Sequence, residues 1–572
     1  MTIPAIARMP TVAYFSMEIH LDDRIPTYSG GLGVLAGDTL RAAADLGVPM
    51  VAVTLIDRKG HFYQRLDEWG SQSESQSTWH PEHTLEPTSA RVSITVEERP
   101  VVVRAWRYSV RGIEGHTVPV FLLDTDMPGN SSWDRTLTDQ LYGGDDHYRL
   151  CQEVVLGIGG VEILRGLGYG EDITYHMNEG HASLLALALL EAQTDRGGSD
   201  AAAEADLEAV RRQCVFTTHT PVPAGHDQFP MALVRQVLGE RRAALLEATG
   251  CCLDGKLNMT HTALRLSRYV NGVSMRHDEV SSGMFPGYPI NAITNGVHAA
   301  TWTSPPFHEL YDRRIPEWRQ DNYYLRYAIG ISLNEIRQAH TQAKRAMLEQ
   351  VRQRAGTVLD DAVMIIGFAR RATPYKRADL LFSDLERLKF IARKVGPFQV
   401  IYSGKAHPRD EGGKEMIRRV FQAAAALQGV VPVVYLENYD AALARHLCAG
   451  VDLWLNTPLP PQEASGTSGM KAALNGVPSL GILDGWWVEG HIEGVTGWAI
   501  GHATERTGDQ LGDAGSLYEK LEREILPLYY GRPSAYAAVM RSAIALNGSF
   551  FNAQRMLAQY VRNAYLVHRQ DR

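Results

Sequence analysis

The stretch Glu463-Ala-Ser-Gly-Thr-Ser-Gly-Met-Lys471 sets a lysine just behind a glycine-rich turn, at the start of what reads as a helix. A helix start offers unpaired N–H groups and a positive dipole end to an anion, and glycines let that anion approach the backbone. A lysine there could grip a phosphate or carry a covalent imine, and the stretch alone leaves both open. Arg370-Arg371-Ala-Thr-Pro-Tyr-Lys376-Arg377 adds four positive charges within eight residues. Charge-assisted hydrogen bonds to phosphate are worth roughly 1.5–3 kcal/mol each, so three aimed inward hold one dianion or position two. A solvated basic helix start is the plainer reading of that cluster. One lysine with two phosphates suggests pyridoxal phosphate beside a phosphorylated substrate, provided nearby cations and desolvation lower the Lys471 pKa.

His219 follows an apolar strand and precedes two prolines, a setting equally suited to a structural histidine. Asn178, Glu179, Asn295 and Glu463 are types that grip sugar hydroxyls or cap turns. Spacing identifies no carboxylate pair as a glycosidase acid and base. No HExxH arrangement occurs among the histidines, so no metal is expected.

These residues need elements to carry them. Residues 11–16 read as a buried strand, and Ser29-Gly-Gly-Leu-Gly33 leads into a helix, a second candidate anion site. Strands are expected over 48–56, 173–177, 214–218 and 292–294, and alternating runs over 91–125 read as a β-hairpin insertion. A long amphipathic helix is expected over 322–354. Beyond it, strands at 362–368, 399–403, 431–436, 452–455 and 479–483 alternate with helices, the pattern of a mostly parallel sheet. Residues 533–572 are helical in pattern. Ligands of open α/β sheets sit beyond the carboxyl ends of strands. Glu18, Gly30-Gly31, Asn178-Glu179, His219, Asn295, Arg370-Arg371, Gly404-Lys405, Glu437-Asn438-Tyr439 and Asp484-Gly485 all fall at such ends. Two doubly wound domains with facing strand ends would gather them around one cleft.

At 572 residues the chain exceeds one core. The expected division is 1–320, 321–545 and a C-terminal helix, 546–572, that crosses back to the first domain. A net charge of −8 argues against nucleic acid. Without a leader-like N-terminus or a membrane-length apolar run, a cytoplasmic protein away from membranes is expected. Five cysteines without CxxC spacing suggest neither disulfides nor zinc.

The motifs YFSME, SGGLG, HMNEGH, THTPVPAGHDQF, VNGVSMRH, ITNGV, ARRATPYKR, YSGKA, YLENY, EASGTSGMK and LDG, in this order, resemble those of the α-glucan phosphorylases. That resemblance implies a GT-B fold, two Rossmann-like domains about a cleft, with pyridoxal phosphate as an imine on Lys471. It implies reversible phosphorolysis of α-1,4-glucan (glycogen, starch or maltooligosaccharides) at the non-reducing end, giving α-glucose 1-phosphate with retention. The cofactor phosphate exchanges a proton with inorganic phosphate, which protonates the glycosidic oxygen and captures the glucosyl group. This use differs from the cofactor's usual electron-sink role, and it needs no protein carboxylate pair.

By the same resemblance, Arg371 and Lys376 grip substrate phosphate with the backbone of Gly30 and Gly31. Arg370, Thr467 and Ser468 hold the cofactor phosphate, and Tyr439 lies beside the cofactor. His219, Asn295, Glu463, Ala464, Ser465 and Gly466 match glucosyl-binding positions; of these residues His219, Arg371 and Lys376 are the catalytic candidates. Several positions depart from the common family forms. Arg370 stands for a frequent lysine, Ser468-Gly469 for Gly-Asn and Ser29 for asparagine, and His20-Leu-Asp-Asp23 and Trp486-Trp487 are also unusual. A first strand near residue 11 leads us to expect no N-terminal phosphorylation or nucleotide control. Preferred glucan, effectors and homo-oligomerisation stay open. The rivals are a GT-B synthase using a nucleotide sugar and an inactive glucan-binding protein.

Overall fold

The computed structural model describes residues 9–170, 172–198, 202–222, 225–501 and 509–566. The first half is built on a nine-stranded sheet. Its order is Asn291–Ala292, Tyr269–Gly272, Cys214–Thr217, Ile173–Asn178, Thr11–Ser16, Met50–Leu55, Thr117–Asp124, Arg99–Arg111 and Glu86–Val96. Pairing is parallel up to Thr117–Asp124. Arg99–Arg111 then runs antiparallel to both its neighbours. The alternating stretch therefore extends the edge of the main sheet.

The second half carries six parallel strands in the order Val433–Leu436, Phe398–Ser403, Met364–Ala369, Leu453–Asn456, Ser479–Ile482 and Gly497–Ile500. Met364–Ala369 and Phe398–Ser403 are buried at every position, as expected of strands covered on both faces. Gly497–Ile500, a short strand opened by glycine, was not anticipated. Strand order reverses beside Thr11–Ser16 in one sheet and between Met364–Ala369 and Leu453–Asn456 in the other. A crevice opens at the carboxyl ends of such reversals.

The helix expected over 322–354 is broken into a 3-10 segment, Asn322–Gly330, and an α-helix, Leu333–Ala355. Ile331 is extended, and Ser332 restarts the helix by accepting from the Glu335 amide while its hydroxyl donates to the Glu335 carboxylate. The last helices return to the first half. Ala553, Leu557 and Tyr560 pack in one core with Ala36, Leu40 and Val12, and the Tyr565 hydroxyl lies 2.6 Å from His176 Nδ1. Residues 567–572 of the expected C-terminal helix lie outside the described residues.

A small hairpin, Tyr63–Leu66 with Gln72–Ser75, belongs to the first half by sequence but docks on the second. Gln64, fully buried, donates through its amide side chain to the Gly404 carbonyl (2.9 Å) and accepts from Asn438 N (2.8 Å). Among the described residues no helix is long and apolar enough to cross a membrane.

Candidate functional site

Arg370 leaves the end of Met364–Ala369, and Glu463 follows the loop after Leu453–Asn456, so the sheet reversal brings them together. One carboxylate oxygen, Glu463 Oε2, accepts from Arg370 Nη2 (2.6 Å) and Lys376 Nζ (2.5 Å). Arg370 also donates to Asn456 Oδ1. All three charged groups are deeply buried. Burial pushes the Glu463 pKa up, but the two cations more than offset it and hold the group at about 2. Arg370 Nε is buried without a hydrogen-bond partner among the described residues.

Lys471 lies in a helix of six residues, Ser468–Ala473, with Thr467 as its N-cap. So short a helix has little macrodipole, which leaves anion binding to side chains and local N–H groups. Lys471 is buried, and its Nζ has no hydrogen-bond or ion-pair partner among the described residues. It rests 3.8 Å from the Trp302 ring centroid. Burial lowers the amine pKa, opposed by Asp38 and Cys448. Asp38 is itself engaged, accepting from Trp302 Nε1 at 2.7 Å. Ser468 Oγ accepts from Trp454 Nε1 (3.1 Å), so this hydroxyl keeps its own proton to donate. Tyr439 lies within electrostatic reach of Cys448 and Arg370, and Cys448 within that of Lys471.

The opposite wall starts at Gly30. Arg371 is exposed and has no hydrogen-bond or ion-pair partner among the described residues. Its guanidinium reaches the glycines: a Cβ on Gly30 would stand 2.9 Å from Arg371 Nη2, whereas one on Gly31 would meet nothing within 4 Å. The loop is held from behind by Glu18, whose Oε2 accepts from Ser29 N (2.5 Å) and Gly30 N (3.1 Å). Tyr142 donates to the other Glu18 oxygen. The Gly30 amide expected to face a ligand is therefore engaged within the chain.

His219 follows Cys214–Thr217, and its Nε2 donates to Asn178 Oδ1 at 2.7 Å. The network sets this tautomer, because Asn178 Nδ2 donates to Ser16 Oγ and Ser16 Oγ to the Glu18 carbonyl. Nδ1 is left with a lone pair that can accept. Burial lowers the His219 pKa to about 4, so the ring is neutral at pH 7. Glu179 takes a structural place, accepting from His219 N (2.7 Å) and Thr220 Oγ1 (2.9 Å). Asn295 Oδ1 and Ser465 Oγ are buried without hydrogen-bond partners among the described residues. Ala464 O accepts from Ser274 Oγ of the first half (2.7 Å).

Asp484 fastens the 463–466 loop, accepting from Glu463 N (2.9 Å) and Gly485 N (3.0 Å). Burial raises its pKa to about 6. Gly485 has φ +55°, and a Cβ there would lie 2.5 Å from the Ser465 carbonyl oxygen. Only glycine closes that turn without strain.

Thus Arg370, Lys376 and Glu463 meet directly and Arg371 meets the Gly30 loop, while Lys471 is linked to Arg370 through Cys448 and Tyr439. Glu463 engages cations here, although a sugar contact was expected. Sequence reading missed Trp302, Asp38 and Gln64; only Asp38, an acid flanked by Leu35, Ala36 and Leu40 in its helix, left a local signal. The residues fit pyridoxal phosphate: an unpaired buried amine for its aldehyde, and an orphaned Arg370 N–H for its phosphate.

A family model described as carbohydrate phosphorylase matches residues 241–496. The chain is 39% identical to a maltodextrin phosphorylase of Thermococcus litoralis, over 97% of this chain and 70% of that protein. It is 37% identical to a glycogen phosphorylase of Mycobacterium tuberculosis, over 98% and 71% respectively. A glycogen phosphorylase of Aquifex aeolicus is 35% identical over 97% of this chain and 86% of its own length. With such identity over nearly all of its length, the chain belongs to the carbohydrate phosphorylase family.

Proposed function

We propose that the chain catalyses phosphorolysis of α-1,4-glucans from the non-reducing end, releasing α-glucose 1-phosphate, on a GT-B scaffold of two Rossmann-like domains. The observation that carries this is the buried Lys471 amine, without a hydrogen-bond or ion-pair partner among the described residues, in a chain that also gathers Arg370 and Lys376 on Glu463 and sets Arg371 at the Gly30 loop. A sugar-binding protein needs neither. A nucleotide-sugar synthase needs no cofactor lysine.

Pyridoxal phosphate is the proposed cofactor, held by Lys471, Arg370, Thr467, Ser468 and the Tyr439 ring; when bound it would supply a phosphate that exchanges protons with inorganic phosphate. Arg371 and Lys376 hold inorganic phosphate, with Gly31 as the open backbone approach. His219 Nδ1, Asn295 Oδ1 and Ser465 Oγ receive glucosyl hydroxyls, and the 464–466 backbone lines the same pocket. Inorganic phosphate gives a proton to the glycosidic oxygen as the C1–O bond breaks and the shortened glucan leaves as an alcohol, and a phosphate oxygen then bonds C1 on the face that the glucan left. The fixed dipoles around developing charge supply the main stabilisation.

An anion entering between Arg370 and Lys376 competes with Glu463, which is then free to accept a glucosyl hydroxyl. The test is formation of glucose 1-phosphate from maltooligosaccharide plus inorganic phosphate. Wild type loaded with cofactor should form it and Lys471→Ala should not. Turnover of ADP- or UDP-glucose without phosphate would overturn the reading, as would an inactive wild type.

A further inference from the structure

Arg371 has a cationic neighbour that the assignments above leave unused. Ala369 pairs in register with Ser403, and Ala372 bridges Ala406 in the same parallel sense. The backbone bonds Arg370 N to Ser403 O (3.1 Å) and Ala372 N to Lys405 O (2.9 Å) keep that register between them. The backbone of Arg371 therefore stands opposite that of Lys405, about 5 Å away at strand spacing. Neither has a carboxylate within ion-pair distance among the described residues. Lys405 Nζ makes one hydrogen bond, to the Phe62 carbonyl at 3.0 Å, leaving two of its three donors unused. His61, next to Phe62, is also within electrostatic reach of both. Two cations on opposed backbone positions, both within electrostatic reach of His61, are suited to hold an anion, with Asp440 offsetting part of the Lys405 charge.

Lys405 is also held firmly. The hairpin pins both its chain neighbours: Gln64 donates to Gly404 O, while Gln72 accepts from Ala406 N (3.0 Å) and donates to Ala406 O (2.8 Å). A lysine so fixed loses less entropy on binding than a free one. The charge count leads to the same place. Glu463 cancels one of the three charges of Arg370, Arg371 and Lys376, leaving two against two phosphates of about −1.5 to −2 each. Burial keeps the Lys405 pKa low, at about 8, so a bound anion has room to favour the charged form.

We propose that Lys405 is a further phosphate-binding residue of this site, paired with Arg371 and presented by the Tyr63–Leu66 hairpin. This rests on the phosphorolysis reading for its ligand, although not for its geometry. Holoenzyme carrying Lys405→Ala or Lys405→Arg would be compared with wild type in KM for inorganic phosphate, KM for maltoheptaose, cofactor absorbance and the phosphate-induced rise in Tm. Lys405→Ala should raise the phosphate KM at least tenfold with the glucan KM within twofold, and Lys405→Arg should recover most of it. A higher concentration of added pyridoxal phosphate needed to restore cofactor absorbance in Lys405→Ala, with the phosphate KM unchanged at saturating cofactor, would also support the proposal and assign Lys405 to the cofactor's phosphate. An unchanged phosphate KM with cofactor retained overturns it, as do equal rises in both KM values, which mark a structural role. Should wild type release no glucose 1-phosphate, the phosphorolysis reading falls. The Tm arm still decides Lys405: a phosphate-induced rise lost in Lys405→Ala supports it, and an undiminished rise overturns it.

Discussion

Lys471 Nζ lies 3.8 Å from the centroid of the Trp302 ring, joining the two halves of the chain by a cation–π contact. A carboxylate at that distance would pin the ammonium and raise its pKa. A ring face is worth only about 0.5–2 kcal/mol, so it can steady the amine without cancelling the effect of burial. Asp38 is the larger opposing influence, but its carboxylate is bonded to the indole N–H of Trp302. The outcome is a buried amine able to shed its proton, which is what attack on an aldehyde requires.

Arg371→Ala should leave stability unchanged, because Arg371 is exposed and unpaired among the described residues. Losing one or two charge-assisted bonds in the bound state should raise the phosphate KM by about 10- to 100-fold. The glucan KM should hold. Initial rates over both substrates, with Tm as control, check this; equal losses in both KM values would make the cluster a structural clamp.

Glu463→Gln leaves two buried cations without their shared carboxylate, a change costing about 3 kcal/mol or more. Phosphate should restore part of it, so the variant should show a lower Tm and a larger phosphate-induced rise than wild type. The folded pKa of about 2 is below the ordinary value of 4.5, so Glu463 contributes full stability above pH 4.5 and loses it as pH falls through about 2. The stability gap between wild type and Glu463→Gln should narrow over that window. A gap independent of pH would contradict the ionised cluster.

Two glycine substitutions should separate two functions. At Gly30 the backbone is extended, with φ −165°, and the intruding neighbour is the movable tip of Arg371, so Gly30→Ala should fold normally and weaken phosphate use. At Gly485 the φ of +55° and the fixed Ser465 carbonyl leave no such escape. Gly485→Ala should lower Tm and raise the glucan KM. Similar behaviour of the two variants, measured by Tm and steady-state kinetics, would count against the site as drawn.

His219→Ala should raise the glucan KM by about tenfold, the worth of one hydroxyl contact, and leave the phosphate KM alone. With its pKa lowered to about 4, His219 stays neutral from pH 5.5 to 8. Chemical-shift titration of its ring should be flat across that range. A midpoint near 6.5 would contradict a buried, neutral His219 ring.

Much of the fold could be read because buried parallel strands are written as unbroken apolar runs, as in Thr11–Ser16 and Met364–Ala369. Gly497–Ile500 escaped because four residues opened by glycine carry too little pattern. The break at Ile331 escaped because helical periodicity continues through it, and the cue was a single Ser332–Glu335 cap. In the site, the basic cluster and the lysine stretch were visible as motifs. Their mutual contact was not, because Glu463 and Lys376 are brought together by strand order and not by spacing. Trp302 and Gln64 could not be found in advance: an aromatic and an amide gain these roles only from the opposite half of the chain.

The central claim, that Lys471 holds the cofactor, is tested most directly by borohydride reduction of the cofactor-loaded protein, proteolysis and mass spectrometry of the peptides. The account predicts a pyridoxyl-phosphate mass added to Lys471 alone. A label on another lysine, or none in protein that still releases glucose 1-phosphate, would contradict it.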